Sequence, residues 1–164
     1  MARPTKNAST ICLVLSVIAL VGIIVGLATS TPLVIALTLL PVVGYEIYRV
    51  EGESTVKASW GMGVTLVGIL VVWLFDVNWN LAEWLGQEET DVGGYLVPLG
   101  DIKTLGAAII GALAIVLFTR TRGVYTRWLA VIIFVCVAAL IYGLNPDVFS
   151  DLLQQGAEDA INQL

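Results

Sequence analysis

From Ser9 to Ala28 the chain runs for 20 residues without a charged side chain. At a rise of about 1.5 Å per residue, a helix of about 20 residues crosses the roughly 30 Å hydrocarbon core of a bilayer. No soluble fold requires so long an unbroken apolar run, and this one is followed by four more. Charge-poor blocks recur at about 32–48, 60–75, 103–119 and 128–144. The fold class read from them is all-α: an integral membrane bundle of five transmembrane helices over residues 1–144. Composition agrees, with 58% hydrophobic and 13% charged residues, against about 45–50% and about 25% in a soluble domain.

The first block, preceded by Arg3 and Lys6, also has the look of a signal peptide, with Gly26-Leu27-Ala28 as a cleavage site. It exceeds the usual apolar stretch of about 7–15 residues in such signals, so a retained helix is expected. Thr29-Ser30-Thr31-Pro32 reads as a tight turn, with Thr31 capping the second helix and Pro32 at its first position. Pro41 falls in the middle of that helix and should kink it. The stretch from Arg49 to Lys57 reads as a polar connection before a third helix from about Trp60 to Phe75.

Residues 77–102 form the longest connection. Asn80 followed by Glu83 resembles a capping box, and Leu81, Trp84 and Leu85 share one face, so an interfacial helix is expected near 80–87. The apolar run Tyr95–Leu99 is too short to span and should dip into the interface or pack on the bundle. Asn145-Pro146-Asp147 reads as a helix start. In the tail, 145–164, Val148, Phe149, Leu152, Leu153, Ala157, Ala160, Ile161 and Leu164 follow the spacing of an amphipathic helix. No internal repeat is evident.

Five spans put the two termini on opposite sides. With the N-terminus inside, the inner segments hold Arg3, Lys6, Arg49, Lys57, Arg120, Arg122 and Arg127, and the outer ones only Lys103. That bias fixes the expected orientation as N-in and C-out, in a cell membrane or a virion membrane. The acids are distributed the other way, Glu46, Glu51 and Glu53 being inner and the remaining ten outer. Because concentrated salt screens repulsion among carboxylates, an acidic outer surface suggests a halophilic source. A fold kept equally well at low and at molar salt would refute that.

The net charge of −5 and the lack of a basic patch away from the membrane edges speak against nucleic acid as a partner. The chain has no histidine, hence neither the commonest metal ligand nor the commonest general base. No nucleophile elbow or phosphate-binding glycine loop occurs. Glu88-Glu89-Thr90-Asp91 lacks the spacing of a calcium loop. Cys12 and Cys136 lie inside apolar blocks and read as small hydrophobes. The expectation is therefore no catalytic residues, no metal and no cofactor, and not an enzyme.

Glu46 lies near the inner end of the kinked second helix, and a carboxylate within a membrane helix is a candidate ion or proton site. Two readings stand. It could form such a site beside the backbone carbonyl freed by Pro41, or it could reach water or pair with Arg49 or Arg120. Asp76, at the outer end of the third helix, reads as solvated.

Small residues spaced four apart allow close helix packing. They occur as Gly22/Gly26, Ser59/Gly63, Ala107/Gly111 and Ala139/Gly143. The tail's polar face carries Asp151, Glu158 and Asp159 and no cation, unlike a helix built for anionic lipid. Its apolar stripe, with Phe149, Leu152, Leu153 and Ile161, should instead meet a protein partner or an acidic outer region of its own chain or of a copy. Truncation at Asn145 without loss of complex size would exclude that. The functional expectation is a non-catalytic structural or accessory subunit of a larger membrane assembly, with other subunits or copies of itself as partners. The alternative is a small homo-oligomeric transporter or channel using the Pro41 kink and Glu46.

Overall fold

The computed structural model describes residues 7–50, 52–75, 90–91, 96–97 and 102–146. Five long helices dominate it: α1 (Ala8–Ala28), α2 (Pro32–Arg49), α3 (Glu53–Leu74), α4 (Ile102–Arg120) and α5 (Val124–Leu144). All five are long and apolar enough to cross a membrane. The interfacial helix expected near 80–87 lies outside the described residues. So does the tail helix, with Phe149, Leu152, Leu153 and Ile161.

Two helices begin earlier than hydropathy suggests. α3 starts at Glu53 rather than about Trp60, and α5 at Val124 rather than about Trp128. Hydropathy locates the apolar part of a helix, whereas its start is set by backbone hydrogen bonding. At Gly52 the backbone turns with φ +108°, a region costly for residues with a Cβ. Val56 N–H and Thr55 Oγ1 both donate to the Gly52 carbonyl, at 2.9 Å each, starting α3 on polar residues. At α5, Thr126 Oγ1 and Arg127 N–H donate to the Gly123 carbonyl in the same way, at 2.8 and 3.0 Å.

The α1–α2 turn is as tight as expected but is closed differently. Thr31 occupies the N-cap position and Pro32 follows it, yet the Thr31 hydroxyl donates to the Thr29 carbonyl at 3.0 Å instead of capping α2. The turn is held from the other side. Ser30 N–H bonds the Leu27 carbonyl and Thr31 N–H the Gly26 carbonyl, the pairing of a Schellman motif. Ser30 takes the left-handed position with φ +50°. In the long connection, Thr90–Asp91 (β1) pairs antiparallel with Leu96–Val97 (β2) in a two-residue ladder, a small departure from a purely helical chain, and the rest of the run 95–99 lies outside the described residues.

Each helix packs on the next in sequence, with α3 against α4 across the long connection, and α5 closes back on α1 and α2. The interior is a continuous apolar core that includes Ile35, Leu39, Met62, Leu66, Ile110 and Ile133, all nearly or fully buried. The outer surface is apolar as well: Leu20, Ile24, Val64, Leu74, Phe118 and Val135 stand exposed. Helices apolar all round suit a bundle whose surroundings are themselves apolar. Aromatic side chains mark both ends, with Trp60 and Trp128 exposed near one and Tyr142 near the other, the levels amphipathic rings favour at a bilayer surface.

Candidate functional site

The antiparallel order brings the Asn7 end of α1, the Arg49 end of α2, the Glu53 end of α3, the Arg120 end of α4 and the Val124 end of α5 together. This basic end gathers Arg49, Lys57, Arg120, Arg122 and Arg127. Lys103 belongs to the opposite end.

Glu46 sits within the basic end on the core face of α2. That face is written in the sequence as Ile35, Ala36, Leu39, Val42, Val43, Glu46 and Val50, a helical stripe with one acid in it. Glu46 is 0% exposed, and neither carboxyl oxygen has a hydrogen-bond partner. Arg49, one turn on, is the nearby opposite charge, but it is engaged elsewhere. Its guanidinium donates to Tyr45 Oη at 3.3 Å and lies 5.0 Å from the centre of the Tyr125 ring on α5, a cation–π contact.

The geometry bears on details of both readings of Glu46 without testing the ion- or proton-site reading itself. The carboxyl does not reach water, and it is hydrogen-bonded to neither Arg49 nor Arg120. Nor does it lie beside the carbonyl freed by Pro41. That carbonyl belongs to Leu37, nine residues earlier, which is about 180° round the helix and about 13 Å along it. Leu37 and Pro41 both face outward, away from the core.

Other buried polar atoms accompany Glu46 at this end. Ser59 Oγ on α3 and Thr121 Oγ1 just past α4 have no hydrogen-bond partner. Gly63 packs against Ile47 and Val43, a register that sets Ser59 within about one helical turn of Glu46 along the bundle axis. From α1, Cys12 lies within electrostatic reach of both Glu46 and Arg49. Cys12 and Tyr125 also line an open groove of about 350 Å³ between α1 and α5, together with Ser9, Ser16 and Trp128. Across it Trp128 Nε1 donates to Ser16 Oγ at 3.0 Å. Glu46 is not among the residues that line this groove. Sequence reading singled out Glu46 but missed Ser59 as a polar group and Thr121 altogether, since neither hydroxyl has a sequence signature of burial.

The small-residue positions divide. A Cβ on Gly22 would collide with Thr38 of α2, and one on Gly26 with Ile35. On Gly63 it would come 2.7 Å from Ile47 Cδ1, and on Gly111 3.3 Å from Val137 Cγ1. Gly143 meets only ordinary contacts, the nearest being Pro32 Cγ at 3.4 Å. Gly106, 2.6 Å from Ile69 Cγ1 by the same measure, is a close approach that the four-residue spacing did not flag. Gly44 and Gly68 face open space. Gly44 lies in an outward groove of about 380 Å³ between α2 and α3, with Leu40, Ile47, Trp60 and Val64. Asn145 ends α5 and directly precedes Pro146, where helix begins again as the sequence suggests, and it donates through Nδ2 to Thr104 Oγ1 of α4 at 3.0 Å.

Among the described residues no group of three or more His, Cys, Asp or Glu could hold a metal ion. Compared with known proteins, the chain matches no family model, no curated protein and no solved structure.

Proposed function

We propose that this chain is a non-catalytic, multi-pass membrane protein that serves as a structural or accessory subunit of a larger membrane assembly. In this reading the basic end faces inward, following the positive-inside rule, in a cell membrane or a virion membrane. The observation that carries it is the contrast between interior and surface. Between Glu46 and Thr104 near the far end the core is apolar, with Ile35, Leu39, Leu66, Ile69, Ile133 and Leu140 buried, so among the described residues a single bundle shows no polar route through itself. The surface offers apolar grooves and an unoccupied small-residue position at Gly44, which suit contact with other transmembrane helices.

The test is native mass spectrometry of the protein extracted in mild detergent from its source membrane. Other chains in fixed ratio support the subunit reading and identify the process. A closed homo-oligomer with no other chain overturns it.

The alternative, a small transporter or channel, draws support from Glu46, since an unpartnered carboxyl inside a membrane helix is costly to keep. It needs the core to open, because Glu46 faces inward and is not on a surface that several copies could turn into a shared pore. Ion flux in liposomes that is abolished by Glu46→Gln would put this reading first; no flux would exclude it.

A further inference from the structure

We propose that the outward groove between α4 and α5 holds an acyl chain of an anionic phospholipid, whose phosphate is met at the basic end by Arg127 together with Arg120 and Arg122. The inference rests on the reading that the bundle spans a bilayer, and it holds whether the protein is an accessory subunit or a transporter.

The groove is built from side chains of two sizes. Ala114 and Ala130, nearly fully buried, form its floor, and the exposed Ile115, Phe118, Val131 and Phe134 form its walls around a volume of about 220 Å³. Such a lining suits a hydrocarbon tail and gives a polar ligand nothing to bond. The depth suits a tail as well. On α5 the groove starts at Ala130, about 4.5 Å along the helix from Arg127, and it ends at Phe134, near the middle of Val124–Leu144. On α4 it runs from Phe118 back to Ala114, in the half of that helix nearer Arg120. A tail entering from the basic end therefore occupies one leaflet.

Charge sets the headgroup. From Ile102 to Leu144 the two helices and their turn carry Lys103, Arg120, Arg122 and Arg127 and no aspartate or glutamate. The three arginines stand exposed at the basic end. Arg127 lies three and four residues before Ala130 and Val131, hence on their face of α5. Its Nε donates to the Thr121 carbonyl at 2.8 Å, and its guanidinium carbon lies 6.0 Å from the centre of the Phe118 ring, one wall of the groove. The guanidinium is thus held at the mouth, with its two Nη groups left to meet a phosphate through paired hydrogen bonds. The lack of acids selects among lipids. A zwitterionic headgroup brings an ammonium that this pair of helices has no carboxylate to meet, whereas an anionic one brings only charge that the arginines attract. Basic pockets between transmembrane helices bind anionic headgroups by the same chemistry.

The experiment is native mass spectrometry of the full-length protein in detergent micelles, with dioleoyl phosphatidylglycerol and dioleoyl phosphatidylcholine added in equal amounts. The expected result is one phosphatidylglycerol retained in preference to phosphatidylcholine. Arg127→Gln and Arg122→Gln should each weaken that retention about fivefold. Arg49→Gln removes the same charge from the same end but away from this groove, and should leave retention unchanged. An equal loss there shows attraction to the basic end as a whole and overturns the proposal. Phe134→Ala takes away a wall without touching charge and should also weaken retention; no change shows that the tail lies elsewhere and overturns it too. Inorganic phosphate in large excess should not displace the lipid, and displacement shows a site for a free anion instead. No preference between the two lipids overturns the proposal while leaving the membrane reading in place. A chain that stays folded and soluble without detergent overturns both.

Discussion

The two ends of the bundle differ in how completely their buried polar groups are met. At the end formed by the α1–α2 turn, the turn's Thr29 and Thr31 and nearby Thr38 satisfy themselves on backbone carbonyls, and Asn145 reaches Thr104. Packing there is close, with Gly22 against Thr38 and Gly26 against Ile35. At the basic end Glu46, Ser59 and Thr121 are buried with side-chain oxygens that nothing in the protein meets. Buried polar atoms are almost always paired, so three exceptions at one end separate the parts of the chain. The unmet atoms are local exceptions, since Thr55 and Thr126 at the same end are buried and bonded to backbone carbonyls.

The sharpest way to break this comparison is to disturb the close-packed end. A Cβ at Gly22 would overlap the Thr38 side chain from its Cβ outward, so Gly22→Ala must push α1 away from α2. Overpacking typically costs about 1–3 kcal/mol, and the upper part of that range is expected because the clash is near the backbone. Gly68→Ala is the control: its Cβ meets open space, and alanine is the better helix former by about 1 kcal/mol. Thermal unfolding in detergent should show a large loss for the first variant and none for the second. Equal behaviour would mean that the glycine contacts do not hold the bundle.

Next in size is the reverse experiment at the basic end. Glu46→Met replaces an unmet polar group by an apolar side chain of similar length. Leaving a buried group unsatisfied costs about 1–3 kcal/mol, so the variant should be more stable than the wild type by about that much. A Glu46→Met variant less stable than wild type at every pH would show that the carboxyl has a partner that matters.

How much of this was legible in the sequence follows the same division. The spans could be read because lack of charge over about 20 residues is a one-dimensional property. Helix starts were less legible, since Glu53–Ser59 is polar yet perfectly able to form helix once Gly52 turns the chain. Glu46 stood out as an acid in an apolar run, but its surroundings depend on which way Arg49 swings. That was settled by Tyr125, which is 76 residues away in sequence and cannot be found by spacing. Close packing was legible where two small residues repeat, as at Gly22 and Gly26. Gly106 was missed because its four-residue neighbours are Ile102 and Ile110, so its fit to Ile69 is a property of the pair of helices.

The α1–α2 turn offers a smaller test of the stable end. Ser30 adopts φ +50°, where a residue with a Cβ is strained by roughly 1–2 kcal/mol and glycine is not. Ser30→Gly should raise stability, by about 1 kcal/mol or less once glycine's extra freedom in the unfolded chain is counted. A loss would mean that the serine side chain contributes to the turn in a way its backbone geometry does not reveal.

The smallest effect is expected where the two regions should differ least, at the mouth of the α1–α5 groove. Ser16 Oγ donates to the Cys12 carbonyl at 2.6 Å and accepts from Trp128 Nε1 at 3.0 Å. This makes it a neutral bridge between two helices. Hydrogen bonds between membrane helices average about 0.6 kcal/mol, and the exposed Trp128 indole has water or lipid headgroups as other acceptors, so Ser16→Ala should cost about that or less. Thermal unfolding in detergent checks it, and a loss well above that would mean that the Trp128 indole finds no other acceptor once Ser16 is gone.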